Sequence, residues 1–113
     1  MNFLDKQRVV NNNKRMFLDM MSVQHTNVVS MNPSNSLKHE MKKAELCYDL
    51  LKNGEIFVTE QKLKSPLSGR PDILVLSSVN PVAIEIVCTE KEESLMRKKK
   101  NYSINIQIVV VRV

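Results

Sequence analysis

From Ser36 to Lys52 the apolar residues recur at helical spacing. Leu37, Met41, Ala44, Leu46, Cys47, Leu50 and Leu51 form a stripe of roughly helical period. Ser34, Asn35 and Ser36 are each suited to cap the start of that helix, and Asn53-Gly54 supplies its stop. The pattern then shortens. Ile56-Phe57-Val58-Thr59 is dense in β-branched and aromatic residues and reads as a strand. Residues 61–70, with Pro66, Ser68 and Gly69, read as a loop. Two apolar runs follow, 72–77 and 82–88, joined by a turn at Ser78-Val79-Asn80-Pro81, and the pattern predicts a β-hairpin. Glu90 to Asn101 is charged and helical in character, with Thr89 as its cap, and Ile104 to Val113 is a β-branched last strand. The predicted order is α-β-β-β-α-β. A helical crossover before the final strand suits a mixed sheet with helices on its faces.

Residues 1–35 differ. Asn11-Asn12-Asn13 and the run from Met31 to Ser36 are polar and turn-rich, and Met16, Phe17, Leu18, Met20 and Met21 make a short apolar patch that reads as a brief helix. The segment reads as an arm or appendage, packed on the domain of residues 36–113 or on a second subunit, or partly without fixed structure.

Each run of the hairpin carries one carboxylate, Asp72 at the start of the first and Glu85 inside the second. Acids are depleted in strand interiors and are costly to bury unless paired or bound to a cation. Pairing of the two runs can bring both acids to one place, where they ask for a metal ion. Taken alone, Asp72 also reads as a turn residue before a strand. Glu85 sits among Ile84, Ile86 and Val87, which imply a buried strand.

Composition narrows the partners. The chain has 113 residues, enough for one small domain, and a net charge of +5. The basic residues cluster at Lys38, Lys42 and Lys43 and again at Arg97 to Lys100, which favours a polyanion such as nucleic acid. Cys47 and Cys88 show no zinc-ligand spacing and read as reduced core thiols. No continuous apolar stretch suggests a leader or a membrane span, so the expected compartment is cytoplasmic. Glycine-rich phosphate loops and nucleophile motifs are absent.

Pro71-Asp72, then Glu85-Ile86-Val87, then an acid on the first helix at Glu40 and a basic second helix together resemble the PD-(D/E)XK nuclease superfamily. The resemblance covers residues 36–113 and is nearest in outline to small archaeal Holliday-junction resolvases and nucleases of mobile elements. It implies an α/β, restriction-endonuclease-like αβββαβ core with a mixed central sheet flanked by helices. It implies a metal-dependent DNA endonuclease, acting on structured DNA such as junctions or flaps and working as a homodimer through the apolar N-terminal patch or the last strand. Mg²⁺ or Mn²⁺ would be held by Asp72, Glu85 and the carbonyl of Ile86, with Glu40 binding the ion or one of its waters. The family's lysine two residues after the second acid is Val87 here. Lys62, Lys91 and Lys98 are the candidates to replace it.

Several neighbours carry weaker expectations. Glu45 rivals Glu40 on the same helix, and Glu60 reads as a solvated strand end. His39 reads as an exposed helix residue, or as one touching substrate or water. Lys42, Lys43, Arg70, Lys98 and Lys99 are the expected phosphate contacts. Tyr102 reads as a core residue rather than a stacking platform. The replaced lysine leaves two alternatives open: a nuclease fold that binds DNA without cutting it, and a subunit that binds protein.

Overall fold

Four strands form one mixed sheet in the spatial order β1 (Phe57–Thr59), β2 (Ile73–Val75), β3 (Val82–Val87), β4 (Gln107–Arg112). The first three run antiparallel to their neighbours, and β4 runs parallel to β3. The computed structural model describes residues 2–22, 25–88 and 92–113. Among the described residues three α-helices accompany the sheet: α1 (Phe3–Phe17), α2 (Leu37–Lys52) and α3 (Glu92–Asn101). The expected α/β class and mixed sheet are therefore present. Thr89, Glu90 and Lys91, named above as a cap, a helix start and a candidate lysine, lie outside the described residues.

Strand alternation divides the core between the two faces of the sheet. Phe57, Ile73, Val75 and Ile84 point to the face covered by Leu46, Cys47 and Leu50 of α2. Val58, Leu74 and Ala83 point to the other face, where they meet Val10, Phe17 and Leu18 at the N-terminal end of the chain and Tyr102 and Ile106 near the C-terminal one. The order of elements thus gives α2 and α1 one face each.

The first helix differs most from expectation. It runs from Phe3 to Phe17, ending inside the Met16–Met21 patch, and it passes straight through Asn11-Asn12-Asn13. Asparagine is a poor helix former because its amide competes for the backbone. Here Asn13 is buried and uses its amide elsewhere, donating from Nδ2 to the carbonyls of Leu76 (2.9 Å) and Ser78 (2.8 Å). Those bonds tie α1 to the β2–β3 turn. The side chain of Asn2 caps the helix by accepting from the Asp5 N–H.

α2 begins and ends where its sequence directs. Ser36 Oγ accepts from the His39 N–H at 3.2 Å. Gly54 adopts φ +70° just past the last turn, and the Glu55 N–H returns to the Leu50 carbonyl at 2.9 Å. Cys47 is buried as expected, but Cys88 is exposed, because β3 ends at Val87 and leaves it beyond the sheet. Among the described residues no helix is long and apolar enough to cross a membrane.

Candidate functional site

The β2–β3 register pairs Ile73 with Ile84, Leu74 with Ala83 and Val75 with Val82. One step further, Asp72 falls opposite Glu85. The β1–β2 register carries the same row one strand outward, where the Glu60 N–H meets the Asp72 carbonyl at 3.4 Å. Three acids therefore lie abreast at one end of three neighbouring strands. β1 breaks at this row, with Glu60 in the left-handed region at φ +54°.

Beside this row lies an open pocket of about 460 Å³. Ser34, Asn35, Ser36 and His39 form its wall at the start of α2. Asp72, Ile86, Val87 and Cys88 form its floor at the strand ends, and Lys98 of α3 closes the far side. Asp72 Oδ2 accepts from the Ile86 N–H at 2.8 Å and lies 3.3 Å from His39 Nε2. Neighbouring residues of a strand direct their backbone groups to opposite sides. The Val87 carbonyl accepts from Val113, on the β4 side. The Ile86 backbone therefore faces Asp72.

Glu85 is 1% exposed and lies behind the pocket surface. Its Oε1 accepts a short hydrogen bond from the Tyr102 hydroxyl, and its Oε2 lies 3.4 Å from Lys98 Nζ. Burial, together with the charge of Asp72, pushes its carboxyl up to about 7, against the pull of Tyr102 and Lys98. Gly69 seats the tyrosine: at φ +102°, a Cβ there would stand 3.1 Å from Tyr102 Cε1.

A second set of charges lies behind His39. The imidazole Nδ1 is 2.8 Å from Glu40 Oε1. Glu40 also accepts from the Asn32 N–H, Asn35 Nδ2 and Lys43 Nζ, each at 2.9 Å. Burial alone would raise its carboxyl, but these donors outweigh it and hold the group at about 2. Lys43 is fully buried and spans Glu40, Glu60 Oε1 at 2.8 Å and the Ser30 carbonyl at 3.0 Å. Burial opposes its charge, yet the two glutamates raise its pKa above the usual lysine value.

The expected site residues thus divide. Asp72, Glu85, Ile86 and Lys98 come together, and Glu40 joins them through His39. Lys62 does not: it is exposed and lies 3.9 Å from Asp19, away from the pocket. Lys43 offers no surface to a phosphate, because all its contacts are internal. Lys42 sits on the outer side of α2, paired with Glu45 at 3.2 Å, which also removes Glu45 as a rival to Glu40. Arg70 and Lys99 are exposed. His39, expected on the surface, is buried and bridges two acids. Glu60, expected in solvent, is bound to Lys43. Tyr102 is a core residue that also serves Glu85. Nothing in the local pattern pointed to that hydroxyl, and the signal for His39 was only its position three residues after a serine cap.

Among the described residues no set of three or more His, Cys, Asp or Glu side chains is placed to hold a metal ion. No protein-family model matches the chain, and no curated protein or solved structure matches it either.

Proposed function

We propose that this chain is a metal-dependent nuclease of the restriction-endonuclease-like type that hydrolyses phosphodiester bonds in DNA. The observation that carries the reading is the Asp72–Glu85 pair, opposed on neighbouring strands beside an open pocket with Lys98 at its edge. The sheet order and the passage from β3 through α3 to a parallel β4 support the αβββαβ core. The net charge of +5, with Lys42, Arg70 and Lys99 at the surface, supports a polyanionic substrate.

The donor set fits a hard divalent cation. Burial first, and the charge of Asp72 after it, raises the Glu85 carboxyl, and the Ile86 backbone lies on the same side. Magnesium commonly takes one or two carboxylates and completes its sphere with water and phosphate, so a closed protein cage is not required. Asp72, Glu85 and the Ile86 carbonyl would hold the ion. When bound, it would neutralise phosphate charge and favour ionisation of a water.

The protein's own groups have separate tasks. Lys98 replaces the lysine missing at Val87: it lines the pocket, it reaches Glu85, and its ammonium can meet a phosphate oxygen. Ser36 and Asn35 offer polar contacts on the opposite wall. His39 holds Asp72 from the side of α2. Glu85, poised near neutrality, can hold a proton below about pH 7 and release it above.

A second reading draws on one observation. Both oxygens of Glu85 already have protein partners, Tyr102 and Lys98. An acid satisfied in this way suits a DNA-binding module of the same fold that does not cut. One experiment separates the two: linear duplex, single strand, flap and four-way junction DNA incubated with Mg²⁺, Mn²⁺ or EDTA. The nuclease reading expects metal-dependent cutting that Asp72→Ala and Glu85→Ala abolish and Lys98→Ala lowers at least about a hundredfold. Salt-dependent binding without cutting, unchanged in these acid variants, supports the second.

A further inference from the structure

The stripe read from the α2 sequence does not all face the core. The inner face of the helix carries His39, Glu40 and Lys43 along its first half and Leu46, Cys47 and Leu50 along its second. The outer face carries Leu37, Met41, Ala44, Tyr48 and Leu51, which are exposed. Leu37 is 74%, Met41 61%, Tyr48 61% and Leu51 46% accessible. These five positions are spaced 4-3-4-3, the a/d seam of a heptad.

We infer that this seam packs antiparallel against the same seam of a second copy of the chain. Three features select that occupant. The spacing matches another helix, whose side chains interlock at 3.5-residue intervals. The order of residue types is nearly symmetric about Ala44, so a two-fold axis there sets Leu37 against the partner's Leu51 and Met41 against the partner's Tyr48, with the small alanines at the crossing. The flanking charges are split as well: Lys38 and Lys42 lie on the first half of the helix, Glu45 and Asp49 on the second. Antiparallel pairing about Ala44 sets Lys38 against the partner's Asp49, while Lys42 and Glu45 already pair within one helix at 3.2 Å. Lys52 is the one cation on the acidic half, and its Nζ lies 5.7 Å over the Tyr48 ring.

This interface replaces the two expected from the sequence, the N-terminal patch and the last strand. It also sets the geometry of the dimer. Ser36 and His39 stand at the start of α2, so the two pockets lie at opposite ends of the helix pair, roughly 20 Å apart along its axis. The inference does not depend on the nuclease reading, since it is tested by mass and cross-linking alone.

Sedimentation velocity of the full chain, 13.0 kDa as a monomer, from about 5 to about 500 µM gives the test. The expected result is a concentration-dependent dimer that weakens at least about tenfold in Met41→Glu/Tyr48→Glu. Both residues are exposed, and circular dichroism checks that the variant keeps its fold. Orientation is read by oxidising a mixture of Leu37→Cys and Leu51→Cys chains, each also carrying Cys88→Ser. The mixed 37–51 cross-link should exceed 37–37 and 51–51. A monomer across the whole range overturns the inference. So does a dimer of unaltered affinity in the double glutamate variant, which would move the contact to β4 or α1. Dominant 37–37 cross-links overturn the antiparallel arrangement.

Discussion

Two buried groups of carboxylates lie side by side in this molecule and are treated in opposite ways. Glu40 and Glu60 share the fully buried Lys43, and Glu40 takes three further donors, so its carboxyl is held at about 2. Asp72 and Glu85 face each other across two strands with less compensation, and Glu85 is pushed up to about 7. The first group sets two carboxylates against one buried ammonium and makes up the rest with hydrogen-bond donors. The second also has one ammonium, but Lys98 is partly exposed and stands 3.4 Å from Glu85, beside a pocket. A buried acid whose donors hold it far below its usual pKa serves the fold, while one held near neutrality beside a pocket is the candidate for chemistry.

The largest effect that would sharpen this contrast is expected at Lys43. Lys43→Met leaves buried Glu40 and half-buried Glu60 without their shared cation and should cost about 3–5 kcal/mol in denaturant unfolding. A loss under 1 kcal/mol would mean that the two groups are not distinct in kind.

The pH dependence should come next. Glu40 has a folded pKa below its unfolded value, so its contribution is complete above about 4.5 and is lost as pH falls toward 2. That loss should total about 3 kcal/mol and should disappear in Glu40→Gln. Glu85 has the opposite sign. Its folded pKa is raised, so stability falls as pH climbs from about 4.5 through 7. Glu85→Gln should remove that decline, as unfolding curves at pH 3, 5 and 8 would reveal.

Gly69→Ala should follow, at about 1–2 kcal/mol, because the backbone is left-handed there and the new methyl meets the Tyr102 ring that serves Glu85. Thermal unfolding beside the Glu85→Gln variant would measure it. The smallest effect is expected for Glu85→Gln itself. The amide keeps an acceptor for Tyr102 where the carboxyl is already neutral, so stability at pH 5 should change by no more than about 1 kcal/mol. If it costs as much as Lys43→Met, Glu85 belongs with the structural set.

Much of the sheet was legible in the chain because β-branched runs and a short turn fix both strand identity and register. Asp72 and Glu85 sit nearly symmetrically about residues 78–81, and that symmetry is what brings them opposite. α2 was legible in position but not in orientation. Its apolar residues exceed what one face can bury, and the inner face was given instead to His39, Glu40 and Lys43. A helical wheel cannot reveal that a lysine is interior when its partners come from Ser30 and Glu60, distant in sequence. α1 was obscured for a similar reason: the asparagine run reads as a turn unless the bonds from Asn13 to Leu76 and Ser78 are known. Cys88 was misassigned because it directly follows an apolar run whose strand ends one residue earlier, at Val87.

The Ile86 amide gives the site a spectroscopic label. Its proton goes to Asp72 Oδ2 at 2.8 Å rather than to another strand. A hydrogen bond to a carboxylate shifts an amide proton resonance downfield and slows its exchange with solvent. The label therefore reports the state of one oxygen atom. In an ¹⁵N-resolved titration with Mg²⁺, movement of the Ile86 cross-peak ahead of those from β1 would register a cation drawing on Asp72, with no substrate present and no bond broken.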